Sequence, residues 1–251
     1  MTVLRDLVRG PAGGARFLSA MALALAMVLT LGGCASTPRA NTKDPLERLN
    51  RNVSEFNDVV DRAVLKPAAT AYQRVTPALV RTGASNFFGN VSDVWSFVNT
   101  ALQLKPQEAL DNLMRFSVNT FFGLGGLLDV ASEMNIDRHK EDFGQTLGRW
   151  GVPTGPYLVL PIFGPSTLRD AMAFGVETRA DVVRNLGDIP TRNSLLVLRT
   201  LETRANLLRV GDVVEEAALD KYTFTRDVFL QRRRNAVYDG EPPEEKKPEG
   251  R

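Results

Sequence analysis

From residue 44 onwards, apolar residues recur every three or four positions over long stretches, which predicts amphipathic helices. The first helix follows Asp44-Pro45-Leu46-Glu47, a typical start with an N-cap residue and a proline at the first helical position. We expect it to end near Lys66, because Pro67 disfavours helical backbone before it. Its apolar stripe consists of Leu46, Leu49, Val53, Phe56, Val60 and Val64.

The same periodicity predicts further helices in most of the remaining chain. A break is expected at Gly89, within the long segment that follows Pro77. The predicted segments, in order, are Ala68–Val75, Pro77–Leu104, Pro106–Phe122, a helix opened by Thr167 to Asp170, a helix capped by Thr191, and a last helix from Asp220 or Thr223 to Tyr238.

The segment Trp150–Asp170 is apolar and aromatic, but prolines and glycines interrupt it repeatedly. No long helix or central strand can run through such a segment. We therefore expect an irregular connection that other protein encloses or that lies at an interface. With no strand ladder and no repeat in the sequence, the predicted fold is all-α, a single helical domain over residues 44–238.

The N-terminus has the pattern of a bacterial lipoprotein leader. Three arginines precede the apolar run Phe17–Leu31, which is too short to span a bilayer, so residues 1–33 are predicted to be a signal peptide. The run ends in Leu31-Gly32-Gly33-Cys34, which resembles a lipobox, with the only cysteine of the chain at the position that is acylated. We expect a diacylglycerol and an N-acyl chain on Cys34 and a tether over residues 34–43. Ala35 and Ser36 favour sorting to the outer membrane, since the aspartate associated with inner-membrane retention is absent.

Charge and composition give no support for a nucleic-acid-binding function and indicate where the folded domain ends. Removal of the leader leaves 28 basic and 28 acidic groups, so the net charge of +2 disappears and nothing favours a nucleic-acid partner. The Pro/Glu/Lys-rich residues 239–251 are predicted to be disordered.

The sequence lacks a recognisable catalytic or metal site. The lone GxGG at Gly123–Gly126 follows no predicted strand, so a hinge or a close helix approach is favoured over a nucleotide loop. His139 lies in the polar segment 136–142, which is expected to be exposed, and no metal-binding spacing surrounds it. No GxSxG motif is present, so we predict no enzyme, no catalytic residue and no cofactor other than the acyl groups. Asn119, within an apolar run, is interpreted as buried and bonded to a neighbouring helix rather than as a lipid-headgroup contact.

The ordered set of short motifs in this domain resembles the MlaA (VacJ) family of outer-membrane lipoproteins. The most specific block is Phe143-Gly144-Gln145-Thr146-Leu147-Gly148, followed by Gly155-Pro156-Tyr157 and Leu168-Arg169-Asp170. The other matching motifs are Asp44–Glu47, Asn50-Arg51, Phe56-Asn57, Ser85–Phe87, Gly89-Asn90, Arg115-Phe116, Asn119-Thr120, Gly123 to Gly126, Asp129–Ala131 and Glu202–Ala205.

The resemblance implies a ring-like helical protein, monotopic in the periplasmic leaflet of the outer membrane and bound beside a trimeric porin. It implies that misplaced outer-leaflet phospholipid passes through an amphipathic channel to a soluble periplasmic carrier of the MlaC type, which maintains lipid asymmetry. Two alternatives stay open: a porin-associated scaffold without its own lipid path, and a lipid-degrading enzyme, which the missing nucleophile motif disfavours. Neither the direction of net flow nor the headgroup preference follows from the sequence.

Two groups of residues are candidates for this path. Arg169 and Asp170 are candidates for polar groups at the channel mouth, with an ordinary helix cap and ion pair as the alternative. The candidate channel and gate residues are Gly123, Gly125, Gly126, Phe121, Phe122, Leu124 and Tyr157.

Overall fold

The computed structural model describes residues 44–244. The chain divides into two compact units, Met1–Glu47 and Arg48–Arg251, and the architecture below is that of the second unit. The predicted signal peptide, the tether with Cys34 and the tail beyond Glu244 lie outside the described residues, so those assignments stay predictions.

The first predicted helix continues through the proline that was expected to end it. Helix α1 (Glu47–Val60) passes into a π-helical turn (Asp61–Leu65) and then into α2 (Lys66–Val75) without leaving helical geometry. Pro67 lies in the first turn of α2, where its missing N–H is tolerated. The predicted break before Pro67 was wrong because the wider π turn accommodates the proline.

Helix α3 (Ala78–Leu102) is continuous across Gly89, so the break expected there is absent. A Cβ at residue 89 would lie 2.8 Å from Nη1 of Arg138. The glycine therefore provides room for a guanidinium group that packs against the helix.

A short turn at residues 103–105 connects α3 to α4 (Pro106–Phe121), and the two helices pack against each other. The next elements are α5 (Val130–Glu133) and α6 (Phe143–Arg149). Aspartates cap both short helices: Asp129 accepts a hydrogen bond from the Ser132 amide, and Asp142 accepts one from the Gln145 amide.

The proline-rich segment contains a regular β-hairpin, which the sequence did not predict. Strand β1 (Tyr157–Leu160) pairs antiparallel with β2 (Gly164–Thr167). The strands form because Pro156 and Pro161 lie outside β1, and a two-stranded sheet leaves both strands at an edge, where Pro165 is tolerated. The expectation that no long helix or central strand crosses this segment is confirmed.

Asparagine side chains of α1 hold the free edge of β1. The Asn50 amide donates to the Tyr157 carbonyl over 3.0 Å and accepts from the Val159 amide over 2.9 Å. Asn57 makes the same pair of bonds with the Leu160 carbonyl and the Ile162 amide. These bonds satisfy edge groups that a two-stranded sheet leaves unpaired.

The chain ends in four helices: α7 (Leu168–Ala180), α8 (Ile189–Asn206), α9 (Leu208–Ala217) and α10 (Lys221–Val237). Thr167 caps α7, as predicted, and α10 is capped by Asp220, the first of its two predicted starts. Helix α8 begins earlier than expected, because Asp188 and not Thr191 is its N-cap, and the Asp188 carboxylate accepts from the Thr191 amide. Helices make up most of the described residues, which confirms the all-α prediction.

Candidate functional site: a polar interior behind an apolar surface

Helices α3 and α4 carry polar side chains inward and apolar side chains outward. Most of the residues that they bury are polar, and the buried apolar ones are Phe88, Ala109 and Val118. Arg115 is the largest fully buried side chain of the described residues. The buried polar residues of this pair are Asn90, Asp93, Ser96, Asn99, Thr100, Asn112, Arg115 and Asn119. The exposed apolar residues of the same pair include Leu79, Val80, Leu102, Leu110, Leu113, Met114 and Phe121. A water-soluble domain has the opposite distribution, and exposed apolar area of this extent marks an interaction surface.

Arg115 organises the buried polar side. Its Nη2 atom donates to both carboxylate oxygens of Asp129, over 2.7 and 2.8 Å, and its Nη1 atom donates to the Ile136 carbonyl. Asn119 donates to Asp129 over 3.0 Å and accepts from the Ala131 amide over 2.8 Å. Asp129 caps α5 and Ala131 lies in it, so the interpretation of Asn119 as a buried residue bonded to a neighbouring helix is confirmed. The network ties α4 to the loop that follows it.

Asp129 makes this network sensitive to acid. Burial acts to raise its pKa, but hydrogen bonds from Ser132 and Asn119 and the charge of Arg115 outweigh burial and lower the pKa to about 2. A carboxylate whose folded pKa is lowered stabilises the fold above its unfolded pKa, and this contribution is lost as the pH falls through the folded value. We expect Asp129→Asn to lower the free energy of unfolding by about 2 kcal/mol at pH 7.

The difference between wild type and Asp129→Asn should shrink between about pH 4 and pH 2. Urea titration in mild detergent at several pH values measures it. Asp137→Asn is the matched control, because Asp137 is an exposed carboxylate of the same region. A difference that stays constant with pH would show that the Asp129 charge does not stabilise the fold.

Six of the seven candidate channel and gate residues, all except Tyr157, lie at the end of α4 and in the loop that follows it. Phe121, Phe122 and Leu124 are 81%, 73% and 71% exposed, so the loop presents three large apolar side chains to its surroundings. The glycines of the loop allow close approach: a Cβ at Gly126 would lie 2.6 Å from the Asn90 amide nitrogen, and a Cβ at Gly123 would lie 2.3 Å from the Leu128 carbonyl. The preference for a close helix approach over a nucleotide loop agrees with these contacts.

Tyr157 lies elsewhere and is only 2% exposed. Its ring packs against Tyr222 at 6.2 Å and Phe229 at 6.1 Å between ring centres, in the core that α10 and β1 share. The structure therefore does not bring Tyr157 together with the exposed loop.

Arg169 and Asp170 belong to an ion cluster centred on Arg233 of α10. The Arg233 guanidinium donates to Asp170 over 2.8 and 2.9 Å and to Asp142 over 2.6 Å. Burial favours the neutral carboxyl of Asp142, but the hydrogen bonds and charge of Arg233 outweigh it and lower the pKa of Asp142. Arg169 is buried and donates to Asp170 over 3.2 Å. The cluster joins α6, α7 and α10.

A cavity of about 410 Å³ adjoins this cluster. Its wall comes from α3, from the loop before α6, from α6 itself and from α10. Its polar lining includes Ser92, Ser96, Lys140, Gln145, Arg232 and Arg233. The sequence did not predict this cavity or the role of Arg233, which is the middle one of three consecutive arginines near the end of α10.

The polar segment 136–142 packs against the domain, contrary to the expected exposure. Arg138 pairs with buried Asp93 over 2.9 Å, and Glu141 is buried. His139 lies 3.1 Å from the Asp111 carboxylate. These contacts arise because long polar side chains find ionic partners in the polar interior, a property that local sequence does not reveal.

Three carboxylates, Glu108, Glu141 and Asp239, lie close enough together to hold a cation. The Lys105 ammonium already lies among them, 3.0 Å from Glu141 and 3.7 Å from Glu108, and it also pairs with Asp239. The lysine supplies the positive charge that this cluster requires. Asp239, the first residue of the predicted disordered tail, is thus tied to the domain.

Comparison with known proteins identifies the family. A sequence profile of the MlaA lipoprotein matches residues 42–236. The chain belongs to the MlaA family. The intermembrane phospholipid transport system lipoprotein MlaA of Shigella flexneri is 36% identical over 221 residues, which cover 86% of either chain. The protein of the same description in Haemophilus influenzae is 33% identical over 234 residues, which cover 89% of this chain and 92% of the relative.

A solved structure agrees with this assignment. It is described as a structural basis for maintenance of bacterial outer membrane lipid asymmetry. It superposes with a TM-score of 0.68 at 34% sequence identity, over 77% of this chain and 98% of the other. Among residues 44–244, no helix combines the length and the apolarity needed to cross a membrane. The MlaA-like and all-α interpretation of the sequence is confirmed by the family match and by the solved structure.

Proposed function

We propose that this chain is an outer-membrane lipoprotein that removes mislocalised phospholipid from the outer leaflet and passes it to a soluble periplasmic carrier. The observation that carries the proposal is the inverted arrangement of α3 and α4, with Arg115 and Asn119 buried and Phe121 exposed. Apolar side chains on the outside suit contact with acyl chains, and polar side chains inside suit the passage of a headgroup. Relatives described as phospholipid transport lipoproteins support the same assignment.

The energetics explain why such a protein is needed. A phospholipid with roughly 30 buried methylenes costs on the order of 20 kcal/mol to expose to water, at about 0.8 kcal/mol for each methylene. A path that keeps acyl chains on apolar surface avoids most of this cost. The function therefore requires no nucleophile, no metal and no cofactor beyond the acyl groups proposed on Cys34, and we propose no enzymatic activity.

The proposal places the domain in the periplasmic leaflet, anchored through Cys34 and bound beside a trimeric porin. Acyl chains on Cys34 supply membrane affinity, and the exposed apolar residues of the domain add to it. A porin-associated scaffold without a lipid path is the competing function, and it predicts the same location but no dependence of lipid transfer on the interior.

Deletion of the gene, followed by quantification of phospholipid on the cell surface, tests the function. We expect surface phospholipid to rise and to return to normal with the wild-type gene. Cys34→Ala should fail to restore it, although the domain itself is unchanged. Surface phospholipid that stays normal after deletion would contradict the proposed function.

We further propose that the glycine loop moves as the gate of the path. Gly126 has φ +93° and lies against Asn90, whereas Gly125 has φ +72° and nothing within 4 Å of its would-be Cβ. Gly126→Ala should raise surface phospholipid several-fold, because the added methyl group meets Asn90, and Gly125→Ala should have a smaller effect from backbone strain alone. Normal surface phospholipid in all three strains, expressing Gly123→Ala, Gly125→Ala and Gly126→Ala, would exclude a gate in this loop.

A further inference from the structure

The cavity beside Arg233 has a charge distribution that points to an anionic ligand. Two carboxylates lie in its wall, Asp142 and Glu141. Asp142 is neutralised by Arg233, whose Nη2 atom lies 2.6 Å away. Glu141 accepts from Lys105 over 3.0 Å and from the Gln103 amide over 2.8 Å. The acidic groups of the wall are therefore already compensated within the fold.

The basic groups at the rim are not compensated in the same way. Lys140 and Arg232 both line the cavity and are exposed. Neither forms an ion pair with another residue in the described range 44–244. The cavity thus has two available cations beside carboxylates that are occupied, which favours an anion and disfavours a second cation.

The remaining wall limits the kind of anion. Ser92 contributes a hydroxyl group, whereas Phe229 and Ala236 contribute apolar surface on the α10 side. The volume of about 410 Å³ lies within the usual range for small-molecule sites of about 300–1,000 Å³. A ligand that carries both a phosphate group and an apolar group fits this cavity, because the phosphate can pair with the cations and the apolar group can contact Phe229 and Ala236.

We propose that this cavity binds the phosphate group of a phospholipid headgroup, with Lys140 and Arg232 as the principal ligands. Lysine contacts phosphate as a point charge, and arginine contacts it through paired N–H donors. The assignment of the phosphate to a lipid rests on the proposed transport function, whereas binding of a phosphate-bearing ligand follows from the cavity itself.

Calorimetric titration of the full chain in nonionic detergent tests the site. The probe is dihexanoyl-phosphatidylglycerol below its micelle concentration, and dihexanoylglycerol is the matched ligand without phosphate. We expect the double variant Lys140→Gln/Arg232→Gln to bind the probe at least tenfold more weakly than wild type, because each charge-assisted contact contributes on the order of tenfold. Arg179→Gln/Arg209→Gln removes two exposed arginines of α7 and α9 and should bind normally.

Equal affinity of wild type and Lys140→Gln/Arg232→Gln for the probe would overturn the site. The site would also be overturned if wild type bound dihexanoylglycerol as tightly as dihexanoyl-phosphatidylglycerol. Inorganic phosphate that binds as tightly as the lipid probe would overturn the lipid assignment. Circular dichroism verifies that the variants are folded, which is expected because no ion pair is removed. These results are independent of the gene deletion: normal surface phospholipid after deletion refutes the transport function, whereas unchanged binding by the variants refutes only the cavity site.

Discussion

Replacement of Arg233 by methionine is expected to lower the free energy of unfolding by about 3 kcal/mol at pH 7. The substitution keeps much of the side-chain volume, but it leaves Asp142 without its cation and leaves Asp170, which is 12% exposed, with Arg169 as its remaining cation. Removal of one partner from a buried ion pair costs about 3–5 kcal/mol, and the value here lies at the low end because Asp142 is partly hydrated. Urea titration followed by circular dichroism in mild detergent measures the change.

The pH dependence of the free energy of unfolding of Arg233→Met shows whether loss of the ion pairs causes the destabilisation. Without Arg233, burial is expected to raise the pKa of Asp142 above its unfolded value, so the destabilisation should be largest at neutral pH and smaller at pH 4, where protonation of Asp142 removes its charge. Arg232→Met, which changes the neighbouring exposed arginine, is the control and should change stability by less than about 0.5 kcal/mol. Equal destabilisation by both variants would show that the ion cluster does not hold α6, α7 and α10 together.

The second large effect is expected on lipid transport. Cells that express Phe121→Asp/Leu124→Asp should accumulate surface phospholipid to the level of the deletion strain. Both residues are more than two-thirds exposed, so the variant should fold normally, and Leu124 has φ +54°, a conformation that aspartate adopts more readily than leucine. Two aspartates in hydrocarbon cost on the order of 5 kcal/mol, which opposes insertion of this loop.

Phe121→Leu/Leu124→Met is the matched control, because it preserves apolar character at both positions. It should retain normal surface phospholipid and normal fractionation with the outer membrane. Normal transport by the double aspartate variant would mean that the loop contacts water and not lipid.

The helices were largely predictable because local rules determine them. Asp220 and Thr167 begin helices as capping residues, and the period of the apolar stripe locates α1 correctly. The errors come from contacts distant in sequence. Gly89 does not end α3, because its missing Cβ admits Arg138, and Pro67 does not end a helix, because the π turn before it changes the hydrogen-bonding register.

The site was less predictable than the fold for a physical reason. Hydrophobic periodicity assumes that apolar residues are buried, whereas α3 and α4 bury Asp93 and Arg115 and expose Phe121. In α10, the residues Tyr222, Arg226 and Val237 share a buried face at helical spacing, and the partly buried Arg233 lies on the same face. A charged residue on this otherwise buried face was the signal from which the role of Arg233 could have been predicted. Its aspartate partners lie more than 60 residues away and were not identifiable from one sequence.

Fluorescence quenching by brominated phospholipid tests most directly whether the apolar exterior lies in lipid. The chain contains a single cysteine, Cys34, which the proposal assigns to acylation, so a cysteine introduced at Leu124 accepts a bimane label selectively. In membranes that contain brominated acyl chains, the label at Leu124→Cys should be strongly quenched, and a label at Glu241→Cys, an exposed polar position near the C-terminus, should not. Equal, weak quenching at both positions would contradict an inverted domain that carries lipid between an apolar exterior and a polar interior.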